Sequence, residues 1–216
     1  MLRGTVVFCS FLVLLGGCAS YEPMPDVVEG PNIEPPKVVS PPVVKPKPKP
    51  VAIRRDFPQD WLPPADVEKQ WTAIVIHHSA TETGNAAIFD RMHREERHWD
   101  GVGYDFVIGN GTNSGDGQVE VTFRWRRQIA GAHCGGTPDN WANVDAVGIC
   151  VVGDFSYRAP SAKQMQSLVK LIRFLQNRYG ISIDHIYGHS DTPGARVTEC
   201  PGRMFPMDRL KRMLAS

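Results

Sequence analysis

Two adjacent histidines, His77 and His78, a later histidine, His189, and Cys200 are the side chains of this chain best suited to chemistry. Two imidazoles and a thiolate form a soft donor set that suits zinc, and three protein ligands leave a fourth position open for water. Convergence depends on the elements that carry them. Residues 71–78 (WTAIVIHH) are rich in β-branched residues and read as a buried strand with His77 at its exit. Residues 183–187 read as another strand, and His189 follows it in YGHSD. Cys200 lies in the loop TECPG. Neighbours on a strand point to opposite faces, so only one of the pair His77-His78 is expected at a metal. Spacing alone does not establish the site, because a lone histidine is more often a satisfied structural residue.

The other elements follow from periodicity. Residues 85–98 read as a helix, and residues 104–109 (YDFVIG) and 119–123 as strands around the turn-rich GNGTNSGDGQ. Residues 146–152 (AVGICVV) read as a second buried strand. Residues 160–179 carry Met165, Leu168, Val169, Ile172 and Leu175 at helical spacing, with Gly180 as the stop. A closing helix is expected over 204–214. Strands alternating with helices predict one α/β domain over residues 65–216, with a central sheet flanked by helices.

The N-terminal quarter has a different composition. Arg3 and the apolar run TVVFCSFLVLL at 5–15 read as a signal peptide. The run is too short to span a membrane, which takes about 20 apolar residues. It ends in Leu15-Gly16-Gly17-Cys18, which resembles the bacterial lipobox. That resemblance implies removal of residues 1–17 and a lipid on Cys18. Ala19 and Ser20 stand where a retention aspartate would be, which implies a periplasm-facing outer-membrane lipoprotein. Residues 18–64 then form a tether, because residues 21–64 hold 13 of the 18 prolines, including the repeat KPKPKP. Proline keeps such a chain extended, so it would reach on the order of 130 Å at about 3.1 Å per residue.

Loss of the signal removes one positive charge from a formal net of +1. A neutral balance without a concentrated basic face argues against a nucleic-acid partner. Of five cysteines, Cys9 leaves with the signal and Cys18 is the anchor. Cys134, Cys150 and Cys200 remain, an odd number for an oxidising compartment. At least one is therefore unpaired or bound to something, and a metal is a natural candidate. Cys134 and Cys150 stay open between a disulfide and small buried apolar side chains.

Five stretches, in order, resemble the type-2 N-acetylmuramoyl-L-alanine amidase family, which shares its fold with the peptidoglycan-recognition proteins. They are TAIVIHHSAT (72–81), GVGYDFVIGNG (101–111), IAGAHC (129–134), NVDAVGICVVGDF (143–155) and YGHSDTPGARVTECPG (187–202). The resemblance implies a central mixed sheet and a zinc ion on His77, His189 and Cys200. Recognition-only relatives generally lack that cysteine. Tyr104 matches a tyrosine that hydrogen-bonds near the reacting water or the developing oxyanion. Thr198 matches a catalytic position held by threonine or lysine. His133 and Asn143 match positions that touch the muramyl-peptide. Some members use a glutamate to move the proton, and Glu120 is the candidate by proximity to the sheet.

The implied reaction is hydrolysis of the amide joining N-acetylmuramic acid to L-alanine, in peptidoglycan or its muropeptide fragments, by a monomer. The alternatives are an anchored wall-recognition protein that does not cut, and a zinc peptidase acting within the stem peptide. No GxSxG elbow is present, which argues against a serine hydrolase built on Ser79 or Ser190. Replacing the anchor tests the N-terminal reading: Cys18→Ser should leave the precursor uncleaved or send the protein to the soluble fraction. Unchanged partitioning into detergent would contradict it.

Overall fold

The computed structural model describes residues 57–216; the expected signal peptide, Cys18 and most of the expected tether lie outside the described residues. The chain runs β1 (Ala73–His78), α1 (Ala86–Glu95), β2 (Phe106–Ile108), β3 (Val119–Val121), α2 (Phe123–Arg127), α3 (Trp141–Val144), β4 (Ala146–Val151), α4 (Ala162–Tyr179), β5 (Ile186–Gly188) and α5 (Met207–Ala215). The five strands form one sheet in the order β3-β2-β4-β1-β5. Strands β1, β2, β4 and β5 pair in parallel, and β3 runs antiparallel on the β2 edge. The sheet is therefore mixed, as the family resemblance implied.

β1 and β4 occupy the centre because they can be buried on both faces. Their registers run from Ala73 beside Ala146 to His78 beside Val151. Alternation then divides the side chains. Ile74, Ile76, Val147, Ile149 and Val151 join the core formed with Leu168, Leu171, Ile172 and Leu175 of α4. Each such side chain contributes about 1.5–3 kcal/mol of burial. Ala73, Val75 and Ala146 face the other side, against Cys134 and Ala142. This second face is lined with small residues, which leaves room for loops to approach.

α4 is closed at both ends by its own sequence. Ser161 and Gln164 make a reciprocal capping box, and Gly180 ends the helix in the left-handed region at φ 71°. α1 starts at Asn85, whose side chain accepts from the Ile88 N–H.

Several boundaries differ from the sequence reading. Residues 183–185 form a short 3-10 turn, with Asp184 and His185 exposed, and the strand begins only at Ile186. Residue 123 starts a helix because Thr122, a good strand residue, serves as its N-cap and accepts from the Arg124 N–H. The folded domain begins earlier than residue 65. Trp61 is buried, its carbonyl accepts from the Trp125 indole at 2.9 Å, and Phe57 packs against Phe174. Pro58, Pro63 and Pro64 share the composition of the expected tether, which hid these anchors.

Asp105 extends the β2–β4 pairing. Its N–H donates to the Gly148 carbonyl at 2.9 Å and its Oδ2 accepts from the Gly148 N–H at 2.8 Å. Oδ1 is buried without a partner. Burial pushes the carboxyl from 3.8 up to about 7, against the opposing pull of Gly148, Lys69 and Arg124. The folded state thus holds a proton that the unfolded chain has released between those pH values. Asp105 costs nothing below about pH 4, and its cost grows as pH rises to 7. Asp105→Asn mimics the protonated form, so it should be more stable than wild type at pH 8, by up to about 4 kcal/mol at about 1.4 kcal/mol per pKa unit. The gap should close by pH 4. Denaturant titrations at the two pH values test this, and a gap that does not change with pH would refute it.

Candidate metal centre

The parity of β1 places His77 on the small-residue face, directly beside Cys150 of β4, and leaves it 2 % exposed. β5 pairs with β1 so that Gly188 lies beside Ile76. The chain then turns at once through His189–Asp191, a turn closed by the Thr192 hydroxyl on the Gly188 carbonyl. His189 is thereby held next to His77, with ring centroids 4.6 Å apart. Ser190 N–H donates to the Cys200 carbonyl at 2.7 Å, which ties the cysteine loop to the same turn.

One donor atom each from His77, His189 and Cys200 lies within 4.8 Å of the others. His77 Nδ1 is 3.7 Å from Cys200 Sγ. Two ligands of one tetrahedral zinc, at about 2.0–2.1 Å for nitrogen and 2.3 Å for sulfur, would stand about 3.6 Å apart. His189 Nε2 is buried with no hydrogen-bond partner. The donor chemistry and spacing therefore fit a zinc ion.

Burial sets the protonation of these groups. It drives His77 well below its usual range, helped by the neighbouring imidazoles, and it also lowers His189. Both are neutral rings, the form in which histidine ligates. Burial pushes the Cys200 thiol up to about 12, even though the His78 N–H donates to its sulfur at 3.4 Å. A metal must displace that proton to bind a thiolate. His78 points the other way, as its position on the strand required. Its Nδ1 accepts from the Phe155 N–H at 3.1 Å, and burial keeps the ring neutral beside Asp154.

The other expected site residues divide into two groups. Tyr104 packs its ring 5.3 Å from His77, and Thr198 Oγ1 accepts from the Cys200 N–H at 3.2 Å. Both flank the donor set. His133 and Asn143 lie beneath it and are buried. Asn143 Oδ1 accepts from the N–H groups of His133 and Cys134, and Nδ2 donates to the Cys134 carbonyl and to Asn140 Oδ1. Its polar atoms are spent inside the loop. His133 Nδ1 is 3.1 Å from His77 Nε2. Glu120 does not reach the centre: its Oε2 accepts from the Ala86 N–H at the start of α1. Cys134 and Cys150 are free thiols, both buried.

Sequence reasoning missed His93. Its Nδ1 accepts from the Gly103 N–H at 3.0 Å, and its ring lies 5.8 Å from that of Tyr104. With Asp90, which accepts from the Val102 N–H, it holds the loop that delivers Tyr104. A histidine on the inner face of α1 was the available signal. Beside the centre, a cleft of about 450 Å³ opens between Ser156, Tyr157, Ser190, Glu199, Gly202 and Arg203.

Residues 67–203 match the family model described as N-acetylmuramoyl-L-alanine amidase. The chain belongs to that family. Peptidoglycan-recognition protein 2 of Holotrichia diomphalia is 28% identical over 140 residues, covering 61% of this chain and 67% of that protein. The chain spans about half to two thirds of the length of the curated relatives it matches. Among solved structures, the N-acetylmuramoyl-L-alanine amidase LysC from Clostridium intestinale URNW is similar, at 32% identity and a TM-score of 0.57. The match covers 68% of this chain and 86% of that one. Peptidoglycan recognition protein-LE, solved with tracheal cytotoxin, a monomeric diaminopimelic acid-type peptidoglycan, gives 25% identity and a TM-score of 0.50. That match covers 71% and 89% of the two chains.

The loop below the centre makes its own prediction. Asn143→Ala removes four hydrogen bonds, each worth about 0.5–1.5 kcal/mol net, so it should cost about 2–6 kcal/mol of stability. Chemical denaturation measures this, and a loss under about 0.5 kcal/mol would contradict the role assigned to the amide.

Proposed function

We propose that this protein is a zinc-dependent N-acetylmuramoyl-L-alanine amidase. It hydrolyses the amide between N-acetylmuramic acid and L-alanine in peptidoglycan or its muropeptide fragments. The observation that carries the reading is the convergence of His77, His189 and Cys200 donor atoms within 4.8 Å, in a member of the amidase family.

Amide hydrolysis is slow because water is a poor nucleophile and the tetrahedral intermediate carries charge. Zinc, when bound, supplies Lewis acidity and an acidified water. His77, His189 and Cys200 fix where that chemistry occurs. Tyr104 keeps its proton at neutral pH, because burial and then the neighbouring Cys150 and Cys200 sulfurs push the phenol well above its usual value. Its hydroxyl is hydrogen-bonded to Cys150; turned towards the carbonyl oxygen, it would donate a hydrogen bond as charge develops there. Such a donor is worth about 3–4 kcal/mol in comparable sites. Thr198 accepts from the Cys200 N–H and leaves its own O–H to donate. The cleft lined by Ser190 and Glu199, the sequence neighbours of His189 and Cys200, and by Arg203 is where the stem peptide would lie.

The same reading keeps the lipid anchor at Cys18, the proline-rich tether and the periplasmic face of the outer membrane. A tether of that length would let an anchored monomer work on a polymer that cannot come to it. A second reading, recognition without cleavage, is favoured by the curated relatives, which are named peptidoglycan-recognition proteins. Binding alone needs no zinc, and Cys200 weighs against it.

The purified protein should hold about one zinc per chain. Cys200→Ala should lose the metal and the activity together. Mass analysis of digested muropeptides should find peptides with a free L-alanine amine. Full cleavage by protein without zinc would refute the zinc reading, and zinc-loaded protein that binds muropeptide without cutting would establish the recognition reading.

A further inference from the structure

We propose that His133 is a positioning residue: it accepts the Nε2 proton of His77 and so holds that ring in the tautomer and orientation needed to ligate a metal through Nδ1. The proposal rests on the zinc reading above and goes beyond it, because it assigns a task to a side chain that cannot itself reach the metal.

The two nitrogens of His77 face opposite ways. Nδ1 lies 3.7 Å from Cys200 Sγ, and Nε2 lies 3.1 Å from His133 Nδ1. A neutral imidazole carries one proton. For Nδ1 to offer a lone pair to a metal, the proton must sit on Nε2. His77 is buried, so that N–H needs an acceptor. His133 Nδ1 is the acceptor at hydrogen-bond distance, and it can accept only if the His133 proton is on its own Nε2. The opposite arrangement, with His133 donating, would put the His77 proton on Nδ1, between the ring and the cysteine, and would block ligation. Only one of the two proton arrangements is compatible with the donor set.

The surroundings of His133 are built for this contact. Asn143 Oδ1 accepts from the His133 backbone N–H at 2.7 Å, which fixes the main chain. The ring packs against two glycines. A Cβ on Gly148 would fall 2.3 Å from His133 Cδ2, and one on Gly131 would fall 2.5 Å from the same atom. Any other residue at Gly148, in the centre of β4, would push the ring away from His77. His133 Nε2 is buried without a close hydrogen bond, and the Ala146 backbone is the acceptor that the ring finds for its proton. An apolar side chain would fill this space without burying a polar ring, so packing does not explain a histidine here. Metal-bound histidines generally pass their second N–H to a carboxylate, a carbonyl or water. This chain uses another imidazole.

The test compares the full chain with His133→Ala and His133→Asn, titrating zinc against a chromogenic chelator. Asparagine can place Oδ1 where the accepting nitrogen stands. Wild type should bind zinc; His133→Ala should bind about 10–100-fold more weakly, and His133→Asn should recover most of that loss. A residue that only fills space would not give rescue by asparagine. Zinc affinity within twofold of wild type in His133→Ala would overturn this proposal alone. Wild-type protein that takes up no zinc would overturn the functional reading and this proposal with it. Should the alanine variant fail to fold, nitrogen-15 spectra of the zinc-loaded wild type decide. They should find the proton of His77 on Nε2 and that of His133 on Nε2. A proton on His133 Nδ1 would refute the assignment.

Discussion

The site depends on one constraint: two imidazoles and a thiol, one buried and two half-buried, are held together without a charged partner. His77 is almost inaccessible, and burial shifts His77, His189 and Cys200 towards their uncharged forms. Such a cluster costs stability unless its lone pairs are used. A divalent metal uses them, and binding free energy then adds to folding free energy. The carboxyl of Asp105 is a second buried liability nearby in the sheet, and it too serves geometry, by bridging β2 to β4.

The scaffold answers that constraint with sheet parity. One face of β1 is given to large aliphatic residues under α4, and the other to Ala73, Val75 and His77. The small face admits the loops that carry Tyr104 and His133. Each loop is locked from outside the site: His93 and Asp90 hold the first, and Asn143 the second. The candidate site groups therefore sit at strand ends and on loops, while the hydrogen bonds that orient them come from helices α1 and α3. This division is common in enzymes, where loops carry chemistry on a rigid support.

Much of this was legible in the residues. β-branched runs located β1 and β4, and aliphatic spacing located α4, because burial on both faces or on one stripe leaves a strong pattern. Alternation on β1 correctly sent His77 and His78 to opposite faces. The proposed metal set was legible only through the family's motifs, since nothing local brings residues 77, 189 and 200 together. Short elements were hidden. α2 begins at a threonine that reads as strand, and the 3-10 turn at 183–185 carries an isoleucine that does the same. Phe57 and Trp61 were lost in proline-rich sequence. His93 and the contact between His133 and His77 depend on loop paths with no one-dimensional signature.

The central claim is that His77, His189 and Cys200 share one zinc. Diffraction from crystals of the zinc-loaded protein, recorded on both sides of the zinc absorption edge, tests it most directly. The account predicts one strong anomalous peak, bonded to His77 through Nδ1 and to His189 at about 2.0–2.1 Å, and to Cys200 Sγ at about 2.3 Å. A peak bonded to other residues, or His77 ligating through Nε2, would contradict it.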